Sequence, residues 1–172
     1  TYFQSREACN LYYDQLPDIV AGYMEEIGRL TGRDYKPFNY YGADDAEYVI
    51  VGMGSMAGCA WETVDYLLKK GEKVGYLDVH LYRPFSAKYF LSQLPETVRK
   101  ITVGDRTKEP GAAGEPLYED VCSVILESGR AISVYACRYG LASKDFTPAQ
   151  VIAMYRNMTE ETPKNHYTIG IR

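Results

Sequence analysis

The chain has 172 residues, of which 46% are hydrophobic and 24% are charged, values that are typical of a single globular domain. Its formal net charge is −4, so it has no basic surplus to neutralise phosphates, and we expect no nucleic-acid binding. No apolar run reaches the ~18 residues of a membrane span, and no signal pattern opens the chain. We therefore expect a cytoplasmic protein that does not bind membranes.

The four cysteines are widely scattered and form no CxxC pair: Cys9, Cys59, Cys122 and Cys137. Only His80 and His166 could join them as ligands. These spacings match neither structural zinc sites nor iron–sulfur sites. The sequence therefore predicts no metal site in this chain, and reduced, mostly buried thiols.

The first 45 residues predict a helical arm and a connector. Residues 1–5 (TYFQS) resemble the remnant of an engineered protease site, with a native origin as an equal alternative, so we make no structural prediction for them. Residues 6–30 show helical apolar spacing, which Pro17 interrupts, and the adjacent Asp18 suits the start of a second helix. Residues 32–45 are aromatic and turn-rich, which predicts an irregular connector laid over a surface.

Tyrosine is unusually frequent, with 17 residues against one tryptophan and five phenylalanines. A tyrosine ring is apolar but its tip is polar, which suits half-hydrated contacts between domains or subunits. Several tyrosines lie in the arm and connector: Tyr2, Tyr12, Tyr13, Tyr23, Tyr35, Tyr40 and Tyr41. They indicate packing against a partner, although tyrosines scattered over a free surface are an equally good interpretation.

The most strongly patterned stretch is a strand, a glycine turn and a helix. Residues 48–51 (YVIV) form an apolar run that is typical of a strand buried on both faces of a parallel sheet. Gly52 and Gly54 end the run, and Ser55 is a candidate N-cap for the following helix. Gly71 is expected to end that helix. The buried face of the helix is predicted at Met56, Ala60, Val64, Leu67 and Leu68.

Further strands and helices alternate along the rest of the chain. Helices are expected after Ser86, Pro116 and Thr147. Strands are expected over 73–80, 98–105, 131–137 and 166–171, the last at an edge of the sheet. This alternation predicts the α/β class: a three-layer α/β/α sandwich, Rossmann-like, with a five-stranded, mostly parallel sheet over residues 46–172.

The glycine turn is also the best candidate for a ligand site. Gly52-x-Gly54-x-x-Ala57 matches the dinucleotide fingerprint after a strand, Ser55 opens the helix, and Asp78 on the next strand could bind a ribose. A nucleotide-binding oxidoreductase is therefore one hypothesis. The alternative is a closely packed strand–helix turn, because a fold alone does not confer a function.

A second group of candidate residues follows the strand that ends at Asp105. Open α/β sheets bind ligands at the carboxyl ends of their strands, and Asp105, Arg106, Lys108 and Glu109 are expected there. Arg106 could pair with Asp105 to fix the loop or to meet a neighbouring domain. Together with Lys108 and Arg83 it could instead bind an effector or coenzyme A. We find no complete catalytic constellation, since the chain has no GxSxG elbow and no P-loop.

Long segments of the chain resemble the pyruvate:ferredoxin (flavodoxin) oxidoreductases. The segments are REACNLYYDQLPDIV, GEKVGYLDVHLYRPFS, VGDRTKEPGAAGEPLYEDV, RYGLASKDFTPAQV and KNHYTIGI. They are long, ungapped and unusual in composition, and they cover nearly the whole chain. The resemblance implies the second domain of that family, with a fold similar to the C-terminal domain of transketolase.

The resemblance also implies what the parent enzyme does. Such enzymes convert pyruvate, coenzyme A and oxidised ferredoxin to acetyl-CoA, CO₂ and reduced ferredoxin with thiamine diphosphate, Mg²⁺ and [4Fe–4S] clusters. It places these cofactors, and the contacts with ferredoxin or flavodoxin, in other domains, and it implies a homodimeric parent enzyme. The expected role of this chain is thus structural docking, with no catalytic, cofactor-binding or metal-binding residue of its own.

Overall fold

A computed structural model describes residues 1–171 of the chain. Within them, the strands are β1 (Phe38–Gly42), β2 (Tyr48–Gly52), β3 (Val74–Val79), β4 (Lys100–Asp105), β5 (Ser133–Arg138) and β6 (Tyr167–Thr168). The helices are α1 (Tyr2–Ala8), α2 (Asn10–Thr31), α3 (Ala57–Leu68), α4 (Ala87–Gln93), α5 (Pro116–Ser128) and α6 (Pro148–Thr159). Short 3-10 turns cover Gly54–Met56 and Leu141–Ser143.

The strands form one sheet in the order β1-β3-β2-β4-β5-β6, in which only the β1–β3 pair is antiparallel. Alternate residues of β2 supply the two cores because successive side chains of a strand point to opposite faces. Val49 and Val51 pack on the side of α4 and α5, whereas Ile50 packs on the side of α3 and α6. This arrangement confirms the predicted three-layer α/β/α sandwich with a mostly parallel sheet.

The sheet has one strand more than the five that the sequence predicts, because part of the expected connector is β1. Phe38 is fully buried, and its ring meets the rings of Phe85 and Phe90 edge-on, with centroids 5.2 and 5.5 Å apart. The backbone of β1 pairs along β3. At the opposite edge, the strand predicted over 166–171 is reduced to the two residues of β6. The predicted division at residue 45 stays a prediction, although β1 lies before it.

The arm differs from the prediction at Pro17, which lies inside the single continuous helix α2 rather than between two helices. A proline removes one backbone donor, but the helix continues on both sides of Pro17, from Asn10 to Thr31. Pro17 is also the one buried residue of α2. Residues 2–5, for which no structural prediction is made from the sequence, belong to α1.

Candidate functional site

The carboxyl ends of the parallel strands form the edge where both groups of candidate residues meet. Gly52 ends β2, Asp78 lies beside it in register on β3, and Asp105 ends β4. A cleft of about 410 Å³ opens at this edge. Its lining includes Met53, Ser55, Tyr82, Gly104, Asp105 and Arg106. The structure places Gly52, Ser55, Asp78, Asp105 and Arg106 at this edge, and their role as a site stays a prediction.

The glycine turn after β2 is filled by the protein's own Met56. A Cβ atom added at Gly52 or at Gly104 would collide with the Met56 side chain, which is fully buried. Gly54 adopts a left-handed backbone with φ +65°, a conformation that favours glycine. Close packing against Met56 therefore explains Gly52 and Gly104, whereas backbone conformation explains Gly54, where an added Cβ would meet no heavy atom within 4 Å. The Met56 contacts favour a packed turn over a cradle for a pyrophosphate.

Ser55 does not cap a helix as predicted. It lies inside the 3-10 turn, where no side-chain cap is formed at either helix start. Its hydroxyl instead accepts a hydrogen bond from Nη1 of Arg106 at 2.8 Å. The reason is that the chain passes from the turn into α3 with no extended residue between them, so no N-cap position is left for Ser55.

Asp78 lies level with Gly52, as a ribose-binding acid would, but its carboxylate is only 3% exposed and already has partners. Tyr76 donates its hydroxyl to Oδ1 at 3.3 Å, and Nε2 of His80 lies 3.1 Å from Oδ2. The Nδ1 atom of His80 lies 2.9 Å from the carbonyl oxygen of Lys36. Both ring nitrogens therefore face acceptors, and the hydrogen bond with Asp78 raises the pKa of His80.

Asp105 organises the start of α5 rather than pairing with Arg106. Its two carboxylate oxygens accept hydrogen bonds from the backbone N–H groups of Leu117 and Tyr118 at 3.2 and 3.1 Å. These N–H groups belong to the first turn of α5, where a helix has no internal acceptors for them. Burial nevertheless outweighs the two donors and raises the pKa of Asp105 to about 6.

Arg106 closes the base of the loop after β4. Its Nε donates to the carbonyl of Gly140 at 3.0 Å, and its Nη1 reaches Ser55. Three separate loops are thereby joined through one guanidinium. The expected Asp105–Arg106 pair is not among the ion pairs of the described residues, because each of the two side chains points toward a different loop.

A buried ion pair in this region escaped the sequence analysis. Glu115 is 2% exposed, and Nη1 of Arg138 lies 3.3 Å from both of its carboxylate oxygens. Lys108 approaches the same carboxylate at 3.9 Å. Arg138 also donates to Oγ1 of Thr168 on β6 at 3.0 Å. The pair therefore ties α5 to the last two strands of the sheet.

The remaining candidates have simpler surroundings. Glu109 is exposed and accepts a hydrogen bond from Thr107 at 3.1 Å. The guanidinium of Arg83 bonds to Asp120 and stacks on the ring of Tyr82, 4.0 Å from its centroid. The basic side chains proposed for an effector thus already have protein partners. The tip of the loop, residues 109–113, is exposed throughout.

The cysteines and carboxylates do not fit a metal ion or an iron–sulfur cluster. Among residues 1–171, no three histidine, cysteine or acidic side chains come together in a way that could hold a metal. Burial raises the pKa of the thiols of Cys59, Cys122 and Cys137, whereas metal ligation requires thiolates. We therefore assign no cofactor chemistry to these residues. No helix in this part of the chain has the length and apolar character to cross a bilayer.

Comparison with known proteins gives consistent matches. Residues 46–151 match the family model described as pyruvate:ferredoxin oxidoreductase core domain II. A pyruvate:ferredoxin oxidoreductase of Moorella thermoacetica is 57% identical over 170 residues, which cover 99% of this chain and 14% of the relative. A pyruvate-flavodoxin oxidoreductase of Enterobacter agglomerans is 50% identical, with the same coverage. The chain thus spans about 14% of the length of these relatives.

A solved structure shares the fold at much lower sequence identity. It is a 2-oxoglutarate:ferredoxin oxidoreductase from Magnetococcus marinus, solved with 2-oxoglutarate, coenzyme A and succinyl-CoA bound. The TM-score is 0.53 at 18% identity, and the match covers 73% of this chain and 20% of the other. At that identity the likeness concerns the fold alone.

Proposed function

Because this chain belongs to the pyruvate:ferredoxin oxidoreductase core domain II family, we propose that it is a docking domain that holds neighbouring domains of such an enzyme in position. Catalysis between groups carried on separate domains requires those groups to be fixed in a productive geometry. The domain supplies that geometry and contributes no catalytic residue.

The observation that carries this proposal is the state of the carboxyl edge. Where α/β sheets usually bind ligands, Met56 fills the turn, and Asp78, Asp105 and Arg106 are all engaged by the protein itself. The loop after β4 is anchored at its base, but its tip at 109–113 is exposed and made of proline, glycine and alanine beside Glu109. A fixed loop with small residues at its tip suits close contact with another domain.

The parent enzyme would convert pyruvate, coenzyme A and oxidised ferredoxin or flavodoxin to acetyl-CoA, CO₂ and the reduced carrier. The names of the relatives support the substrate and the carrier. Thiamine diphosphate, Mg²⁺ and [4Fe–4S] clusters would be held by the rest of the polypeptide. We further propose that the parent enzyme is a homodimer. We also place it in the cytoplasm, which is in keeping with four free thiols.

The tip of the loop provides a direct test. In the full-length oxidoreductase, Ala112→Trp should lower turnover at least tenfold while the bound thiamine and iron content stays unchanged. Glu161→Trp, at an exposed position away from this edge, is the matched control and should retain turnover. Full turnover in the Ala112→Trp enzyme would contradict contact at the tip.

Ligand binding tests the same proposal from the other side. The 172-residue chain should show no thermal stabilisation with thiamine diphosphate and Mg²⁺, coenzyme A, NAD(H), NADP(H) or FAD. A ligand that binds the native chain and is present at 100 times its dissociation constant would stabilise it by about 2.7 kcal/mol. Stabilisation by a nucleotide that is lost in Asp78→Asn would instead support the Gly52–Gly54 site.

A further inference from the structure

Helix α2 carries an apolar stripe on a face turned away from the sheet domain. The residues of this stripe are three or four positions apart in the sequence, which places them on one side of the helix. The stripe consists of Tyr12, Leu16, Ile19, Tyr23, Ile27 and Leu30, whose side chains are 37% to 78% exposed. At 1.5 Å per residue the stripe is about 27 Å long, which is enough to cover several turns of another helix.

The outer stripe is separate from the face of α2 that is directed toward the domain. Residues on that inner face are buried or half-buried: Pro17, Val20, Ala21, Met24 and Gly28. Asp18 fixes the helix by accepting hydrogen bonds from Lys88 and Tyr89 at 2.8 and 2.7 Å. The remaining third of the circumference carries the polar residues of α2: Asp14, Gln15, Asp18, Glu25, Glu26 and Arg29. Of these, Asp18, Glu25 and Arg29 line a cleft between α2 and α4. A helix with apolar residues over two faces is expected to be covered on both.

We propose that the outer stripe is the docking face for an apolar helix that belongs to another domain of the same polypeptide. The inference rests on the proposed docking function and names the contact through which the arm takes part in it. The relatives support this occupant, because about 86% of each relative's length lies outside the matched segment, taken as the remainder from the 14% covered. The straight spacing of 3.6 residues per turn suits the ridges and grooves of a second helix.

Charge argues against a second copy of α2 as the occupant. The segment from Thr1 to Thr31 contains two arginines against five acidic residues. Glu26 borders the stripe, and no basic residue of α2 borders it to offset that charge, so two paired copies would bring like charges to the edge of the contact, which is unfavourable. The structure therefore favours a different helix, with apolar residues at its centre and basic residues at its border. The hydroxyls of Tyr12 and Tyr23 suit the hydrated rim of such a contact.

The test uses the full-length oxidoreductase with two matched double variants. Ile19→Lys with Tyr23→Lys places two charges on the stripe. Gln15→Lys with Gly22→Lys places two charges on the polar face, where an added side chain at Gly22 meets no heavy atom within 4 Å. Hydrogen exchange of the α2 amides is the readout. In the wild-type enzyme they should exchange at least tenfold more slowly than in the 172-residue chain.

The stripe variant should lose this added protection in the full-length enzyme, and the control variant should keep it. Equal exchange in the enzyme and in the 172-residue chain would overturn the inference, while the loop-tip test of the docking function would stand unaffected. Protection that rises with the concentration of the 172-residue chain, together with a dimer in sedimentation, would also overturn it by identifying a second copy as the occupant.

Discussion

The carboxyl edge of the sheet and the helical arm differ in whether their side chains have partners within the chain. At the edge, the charged and buried side chains bond to one another and to backbone groups, as Glu115 does with Arg138. On the arm, large apolar side chains face outward without cover, as Tyr23 and Leu30 do. The difference teaches that polar residues at a ligand-binding edge do not make a site when the fold uses them itself. An exposed apolar surface that no part of the domain covers, such as the outer side of α2, is the better guide to function.

The largest effect expected at the edge follows from breaking its buried ion pair. Glu115→Ala leaves Arg138 with its guanidinium largely buried and without its carboxylate partner, and we expect a loss of about 4 kcal/mol in the free energy of unfolding. Glu109→Ala, at an exposed position, should change it by less than about 0.5 kcal/mol. Urea denaturation measures both. Equal values for the two variants would show that the edge is not held by this pair.

Removing the side chain that fills the glycine turn should have the next largest effect. Met56 is fully buried over Gly52 and Gly104, so Met56→Ala creates a cavity and should cost about 3 kcal/mol. Met56→Leu conserves volume and should cost less than about 1.5 kcal/mol. If Met56→Ala proved as stable as the wild type, the turn would have spare room, and the nucleotide hypothesis would gain support.

Asp105 makes the stability of the edge depend on pH. Its pKa of about 6 in the fold lies above its ordinary value of 3.8, so the folded chain holds this proton more tightly than the unfolded chain. Stability should therefore fall as pH rises from about 4 to about 6, by roughly 2 kcal/mol. Asp105→Asn should flatten this part of the profile. A wild-type profile that rises over the same interval would contradict the assigned direction.

His80 joins the edge to the connector of the arm and should show a smaller dependence at higher pH. Its pKa is raised by the hydrogen bond with Asp78, so the stabilisation is complete below the unfolded pKa of about 6.5 and is lost as pH rises through the folded value. The effect is smaller because the side chain is 29% exposed. His80→Gln should remove this phase and leave the Asp105 phase unchanged, as pH-dependent denaturation would show.

The parallel core of the fold was predictable because each of its strands is an apolar run with a clear end. β1 was missed because FNYYG lies between Pro37 and an acidic turn at Asp44 and Asp45, and its aromatic residues suit a surface equally well. Only pairing with β3 and the contacts of Phe38 identify it as a strand. Pro17 was misjudged because a local rule on proline was applied to a helix long enough to tolerate one.

The location of the candidate residues could be predicted from the sequence, but their hydrogen-bond partners could not. Residues at strand ends must gather at one edge, and they do. The hydrogen-bond partners of Asp105, Arg106 and Glu115 are 12 to 51 residues distant, so no local pattern reveals them. One signal was available: Asp78 and His80 are two residues apart in the strand that the sequence predicts over 73–80, which would place them on the same face. Their contact could have been inferred, and it would have weakened the case for a free ribose-binding acid.

The contact of Met56 with two glycines has a consequence for how this protein can vary. Gly52 lies on β2 and Gly104 on β4, yet one side chain closes the space over both. An alanine at either glycine requires the Met56 side chain to move or to be shortened. In a double-mutant cycle, Gly104→Ala and Met56→Ala should therefore be strongly non-additive, each partly relieving the other. Positions 52, 56 and 104 are therefore expected to change together, because a substitution at one of them alone destabilises the fold.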